Sequence, residues 1–158
     1  MLRLFSIFSS IVTLSFTLFL LSGSAIAAVG IDNGHLSNCP SSPNCVVSQN
    51  GDEIHAIEPI SYRGDRATAR ETLLKVLSVV PRTEIIEQTD DYIKAEATSR
   101  IFKFVDDVEF YFPPDENAIH VRSASRVGES DLGVNRRRIE QIRLAMADLG
   151  VATVNSEQ

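Results

Sequence analysis

The chain has 158 residues, of which 15 are lysine or arginine and 21 aspartate or glutamate, for a formal net charge of −6 at pH 7. That acidic balance excludes generic nucleic-acid binding, which relies on neutralising phosphates with basic side chains. It also argues against docking on anionic lipid by whole-molecule charge. With 44% hydrophobic residues, the chain has apolar material for one core, at a length that suits one domain.

Arg3 precedes the uncharged run "LFSIFSSIVTLSFTLFLL", which ends in "SGSAIAA". Ala25 and Ala27 form the small-x-small pattern read by signal peptidase, so residues 1–27 are expected to be a signal peptide; the competing reading is an uncleaved anchor. No cysteine follows the small residues directly, which speaks against a lipoprotein. Cleavage removes Arg3 and leaves a mature charge of −7. Nothing apolar after Ala28 is long enough to span a bilayer, so no stable membrane anchor is expected after cleavage.

From Ala28 to Glu53 the chain is rich in Asn, Ser, Gly and Pro and reads as an irregular arm. Its "CPSSPNC" carries both cysteines, Cys39 and Cys45. In the oxidising space that an exported chain enters, two nearby thiols pair. A loop this short gives about 2 kcal/mol, so the bridge pins the arm more than it holds the fold. The alternative is a zinc site built from His35, Cys39, Cys45 and His55, at spacings that match no familiar finger. No metal and no cofactor are expected.

Residues 54–150 read as one α+β domain. "HAIEPISY" is a short strand that Pro59 confines to an edge. "GDRATARETLLKVLSVVP" is a helix with Asp65 as N-cap and Leu73, Val76, Leu77 and Val80 on one stripe. "TEIIEQTD" and "YIKAEATSR" form a hairpin about Asp90-Asp91. In the second, Ile93, Ala95, Ala97 and Ile101 alternate with Lys94, Glu96, Thr98 and Arg100, one face buried and one wet. "FKFVDDVEFYF" and "AIHVRSASR" are two further strands joined by "PPDENA". A last helix begins near Val134 or Arg136, carries Ile139, Ile142, Met146 and Leu149 inward, and ends at Gly150. The order β-α-β-β-β-β-α predicts a single curved antiparallel sheet of about five strands with two helices on one face. Residues 151–158 are expected to be a flexible tail.

Three segments, "CPSSPNCV", "FVDDVEF" and "VRSASRVGESDLGVNRRRIEQIR", together resemble the family known as domain of unknown function 1499, in order from about Cys39 to Leu149. The resemblance implies an extracytoplasmic protein of bacterial or plant type, in a periplasm or thylakoid lumen. It implies no assigned activity, and it carries over no catalytic residue.

The polar residues of these segments are the candidate site. Alternation puts His120, Arg122, Ala124 and Arg126 on one face of their strand, and Ser123 and Ser125 on the other. Asp106, Asp107 and Glu109 lie on the neighbouring strand, where Asp106-Asp107 is a candidate bulge. A meander would set Arg122 and Arg126 against Asp107, Glu109 and Glu96.

Arg136, Arg137 and Arg138 occupy the first turn of the last helix, where the macrodipole disfavours cations by roughly 0.3–1 kcal/mol each. They call for compensation from the acidic strand or from a bound anion. The expected cluster is therefore Asp106, Asp107, Glu109, Arg122, Arg126, Arg136 and Arg137, partly shielded from water. For catalysis, Ser123, Ser125 and Ser130 are candidate nucleophiles and His120 a candidate base. There is no G-x-S-x-G elbow, and His120 points away from Ser123. The preferred reading is a non-catalytic extracytoplasmic domain that binds a protein partner or a small ligand, anionic ligands included. A serine-type or other hydrolase is the alternative.

Overall fold

Tyr92, Lys94 and Glu96 alternate with Ile93, Ala95 and Ala97, and this period of two gives the strand around which the sheet is organised. The structure, a computed structural model, describes residues 29–153. The expected signal peptide, and residues 154–158 of the expected tail, lie outside the described residues. In chain order the elements are β1 (Ile31–Asp32), β2 (His35–Leu36), β3 (Cys45–Val47), β4 (Ile60–Ser61), α1 (Arg66–Val79), β5 (Thr83–Gln88), β6 (Tyr92–Thr98), β7 (Val105–Tyr111), β8 (Ala118–Ser125) and α2 (Val134–Asp148).

Strands β5 to β8 form an antiparallel meander in the order β8-β7-β6-β5. Its free edge at β8 is covered by two short strands: β3 runs against Arg122 to Ala124, and β4 against Ala118 and Ile119. The result is an α+β fold with one sheet slightly wider than the sequence suggests, six strands rather than five. Both helices lie on one face. Leu73, Val76 and Leu77 of α1 and Ile139, Ile142 and Met146 of α2 share one core with Ile93, Val108, Phe110, Ile119 and Val121 of the sheet. Asp65 caps α1 by accepting from the Thr68 amide, an interaction that lowers its carboxyl below the ordinary value.

Several local expectations change. The arm is not wholly irregular, because Ile31–Leu36 is a hairpin whose two-residue loop, Asn33-Gly34, has positive φ at both positions. The expected strand at His55–Tyr62 shrinks to Ile60–Ser61, while Cys45–Val47 joins the main sheet. Residues 99–104 are a loop rather than the join of two strands. Ser99 N donates to Phe104 O and Phe104 N to Ser99 Oγ, so the chain turns before it can extend the alternation. Ile101, expected on the buried face, is 77% exposed, and Leu149, expected inward, is 58% exposed where the last helix ends. The first residues of the expected tail are bonded: Ala152 bridges Tyr62, and Thr153 N donates to Ser61 O.

Candidate functional site

The register of β6, β7 and β8 decides where each charged side chain stands. Asp107 pairs with Glu96 and Ala124, and Glu109 with Lys94 and Arg122, in an unbroken ladder. The candidate bulge at Asp106-Asp107 is therefore absent; the register shift falls on β5, between Ile85 and Glu87. With no bulge, adjacent residues face opposite sides. Asp107 and Glu109 point to the face away from the helices, and Asp106 points toward α2.

On the outer face Arg122 and Glu109 form a fully buried pair, Nη1 to Oε2 at 2.7 Å, with both side chains at 0% exposure. Tyr92 Oη donates to the other carboxylate oxygen at 2.9 Å, and the Gly30 amide donates to the same atom at 2.6 Å. Burial, with Glu109 next to it, pushes the Tyr92 hydroxyl well above its ordinary value. The pair is dry because the arm covers it: Leu36 clusters with Val47, Tyr92 and Tyr111, and Ile31 and Cys39 pack against them. The Cys39–Cys45 disulfide, with Cα atoms 5.7 Å apart, ties this arm to β3. It also removes both thiolates from the zinc alternative. Of that set, His55 bonds Asp52 and the Ser42 carbonyl instead.

Further along the same face the charges meet water. Arg126 grips Asp107 with two hydrogen bonds, Nε at 2.9 Å and Nη2 at 2.8 Å, and Nη2 also donates to Glu96. Lys94 reaches Asp107 at 3.3 Å. Desolvation pushes the Asp107 carboxyl up, but the bonds from Arg126 and the charges of Lys94 and Arg126 together outweigh it and hold it below 3.8. Bonding to Asp107 and then Glu96 raises Arg126 in turn.

The inner face carries a separate network. Arg138 Nη2 bonds Asp106 at 2.5 Å, and its Nη1 donates to Ser123 Oγ and Asn135 Oδ1. Ser123 Oγ donates to Asn135 Oδ1, and Asn135 Nδ2 donates to the Asn44 carbonyl of the arm. No motif or period in the sequence marks Asn135, although it is 0% exposed and joins α2 to β8 and the arm. Arg143, likewise unexpected, clamps the Glu58 and Pro59 carbonyls through Nη2 and Nη1.

The expected single cluster is thus two clusters separated by the sheet, and Arg136 and Arg137 belong to neither. Successive helical residues are rotated by about 100°. When Arg138 faces the sheet, its two predecessors cannot. Arg136 donates to the Ile54 carbonyl and Arg137 to the Leu132 carbonyl. The α2 amides are served locally, with Asp131 accepting from Gly133 N and Asn135 N.

A cleft of about 380 Å³ opens between the turn after α1, the end of β6 and the start of α2. Arg82, Arg100, Arg137 and Arg138 line it, with Asp106, which is already bonded to Arg138. Arg82 donates through Nε to the Thr98 carbonyl. The serines and His120 do not converge with this cleft as a catalytic set. Ser123 is 0% exposed, while His120 lies on the opposite face, bonded to Ser48 and Glu116.

Fold and geometry define a small α+β domain with a disulfide-tied arm laid over the polar face of its sheet. The family model for proteins of unknown function designated DUF1499 matches residues 35–146, most of the chain, and the chain belongs to that family. No curated relative matches it. Among the described residues no helix is long and apolar enough to cross a membrane.

Proposed function

We propose that the chain works outside the cytoplasm as a non-catalytic binding domain for a small anionic ligand, held in the arginine-lined cleft. The observation that carries this reading is the imbalance of charge there. Four guanidinium groups line one cleft, and the lining carboxylate, Asp106, is committed to Arg138. Arg100 and Arg137 retain donors in the forked geometry that matches phosphate or carboxylate. The disulfide agrees with an oxidising compartment. The separation of His120 from Ser123 by the sheet favours binding over the hydrolase alternative.

The test is thermal unfolding of the chain with inorganic phosphate or sulfate, against sodium chloride at equal ionic strength. A ligand at ten times its Kd stabilises the native state by about 1.4 kcal/mol. At this chain length that is roughly a 3–5 °C rise in Tm. Arg100→Gln with Arg137→Gln should abolish the rise. No rise beyond the chloride control, or a rise that the double variant keeps, overturns the reading.

A further inference from the structure

The loop Arg100-Ile101-Phe102-Lys103-Phe104 leaves the sheet at the same end as the cleft and turns large apolar side chains to solvent. Ile101 is 77% and Phe102 72% exposed, and the Phe102 and Phe104 rings stack at 5.5 Å. The loop is held at its base by the two bonds between Ser99 and Phe104. Lys103 takes a left-handed conformation at its tip, with φ 58°. Around it the same end exposes Val79, Val127 and Leu132. The neighbourhood is fixed by backbone bonds, with Arg126 N donating to Val105 O and Thr98 N to Arg82 O. An apolar group of this kind is not the scattered surface leucine of an ordinary domain.

We infer that this end of the domain docks on the surface of an anionic lipid bilayer, with Ile101, Phe102 and Phe104 entering the headgroup–acyl boundary. Three features point to lipid rather than a folded partner. The side chains project from a tip instead of lining a groove. Cations alternate with them along the chain, Arg100 and Lys103 within the loop and Arg82 and Arg137 beside it, where headgroup phosphates would lie. The sign of this end also opposes that of the chain as a whole, −6, so the acidic remainder is turned away from the bilayer and the approach is end-on. Of the acids at this end, Asp106 is paired with Arg138 and Glu96 with Arg126, and the cations Arg82, Arg100, Lys103 and Arg137 still outnumber Glu84, Glu129 and Asp131, the last bonded to the α2 amides. Docking shares Arg82, Arg100 and Arg137 with the cleft and differs from the binding of a free ligand there by its use of the apolar tip.

The chain has no tryptophan, so Phe102→Trp installs a single reporter that ignores the N-terminal leader. The full-length chain is mixed with vesicles of phosphatidylglycerol and phosphatidylcholine, some with brominated acyl chains. The expected result is a blue-shifted emission that brominated lipid quenches. Asp115→Trp, in the turn at the opposite end, should show neither. Adding Lys103→Gln should weaken the response about fivefold on anionic vesicles, the worth of one cation near a charged surface. Ile101→Ser with Phe104→Ser should abolish it while leaving Tm unchanged, because these side chains are exposed. Equal quenching at both reporters, or none at Phe102→Trp, overturns the proposal. So does a shift that grows with protein concentration without lipid, which would assign the patch to a second copy of the chain. Because Arg100 and Arg137 serve both readings, the separating variant is Ile101→Ser with Phe104→Ser, which should lose vesicle quenching and keep the phosphate response of the cleft; quenching that survives it overturns docking through the tip.

Discussion

Replacing Arg122 with leucine tests whether the arm seals the outer face of the sheet. Arg122 and Glu109 are both at 0% exposure, so removing either leaves a charge away from water. Breaking such a pair costs about 3–5 kcal/mol. The two single variants should not be equal. Without Arg122, Glu109 still accepts from Tyr92 Oη and Gly30 N, which favours the lower bound, about 3 kcal/mol. Without Glu109, Arg122 loses its carboxylate, and its Nε and Nη2 already find no acceptor among the described residues. Glu109→Leu should therefore cost about 5 kcal/mol. At roughly 3 °C per kcal/mol, the Tm falls are about 10 and about 15 °C. The double leucine variant should recover part of the summed cost, because no charge is left to desolvate, but not the parent stability, because Tyr92 Oη and Gly30 N lose their acceptor at about 1–3 kcal/mol each. Urea melts followed by far-ultraviolet circular dichroism close the cycle. Single costs below about 1 kcal/mol, or a double variant that equals their sum, would refute a dry, coupled pair beneath the arm.

Asp107→Asn should flatten the acid limb of stability. A carboxyl held below 3.8 when folded stabilises the protein above that pH, and the contribution is lost as pH falls through the lowered folded value. Tm measured from pH 6 to pH 2 should fall less steeply in the variant, and parallel curves would contradict the assignment. Gly51→Ala should destabilise by about 1–3 kcal/mol, because its Cβ would meet the Ala56 Cα at 2.8 Å and the Val47 carbonyl at 2.9 Å, backbone atoms with no freedom to yield. Its urea midpoint checks this, and an unchanged midpoint would mean that the arm moves aside freely.

The sheet and both helices were legible in the sequence because their periods are regular: two in β6 and β8, and near 3.6 along Leu73–Leu77 and Ile139–Met146. The Asp65 cap and the Gly150 stop, with φ 79°, followed from turn chemistry. The arm was less legible, since its strands are two or three residues long and too short to show a period. A signal was nonetheless present: Asn33-Gly34 between Ile31 and Leu36 is the usual mark of a two-residue hairpin. The exposed loop reads as strand because Ile101, Phe102 and Phe104 mimic strand alternation, and only the pairing of Ser99 with Phe104 shows that the chain has turned. The facing of Arg122 and Arg126 toward Glu109 and Asp107 could be read from alternation. That the first pair is buried and the second wet could not, because burial depends on where the arm lies.

Three arginines at the start of a helix pose an electrostatic problem that the fold resolves unequally. Arg138 is compensated by Asp106, which the even register of β7 turns toward α2 while turning Asp107 away. Arg136 and Arg137 receive only backbone carbonyls, which offset the desolvation of a guanidinium but not its charge. Asp131 supplies one negative charge at the helix start, placed to cap amides rather than to meet the arginine forks. A single carboxylate therefore answers the dipole and leaves two cations unanswered, one of them lining the cleft beside Arg82 and Arg100. Positive charge kept at a helix N-terminus without a protein carboxylate is disfavoured by roughly 0.3–1 kcal/mol per cation in the free protein. The same charge becomes favourable once an anion enters, because dipole and guanidinium then act on it together. That difference between the free and the occupied state is the physical reason to look for the ligand at Arg100 and Arg137, and not at the paired charges on the outer face.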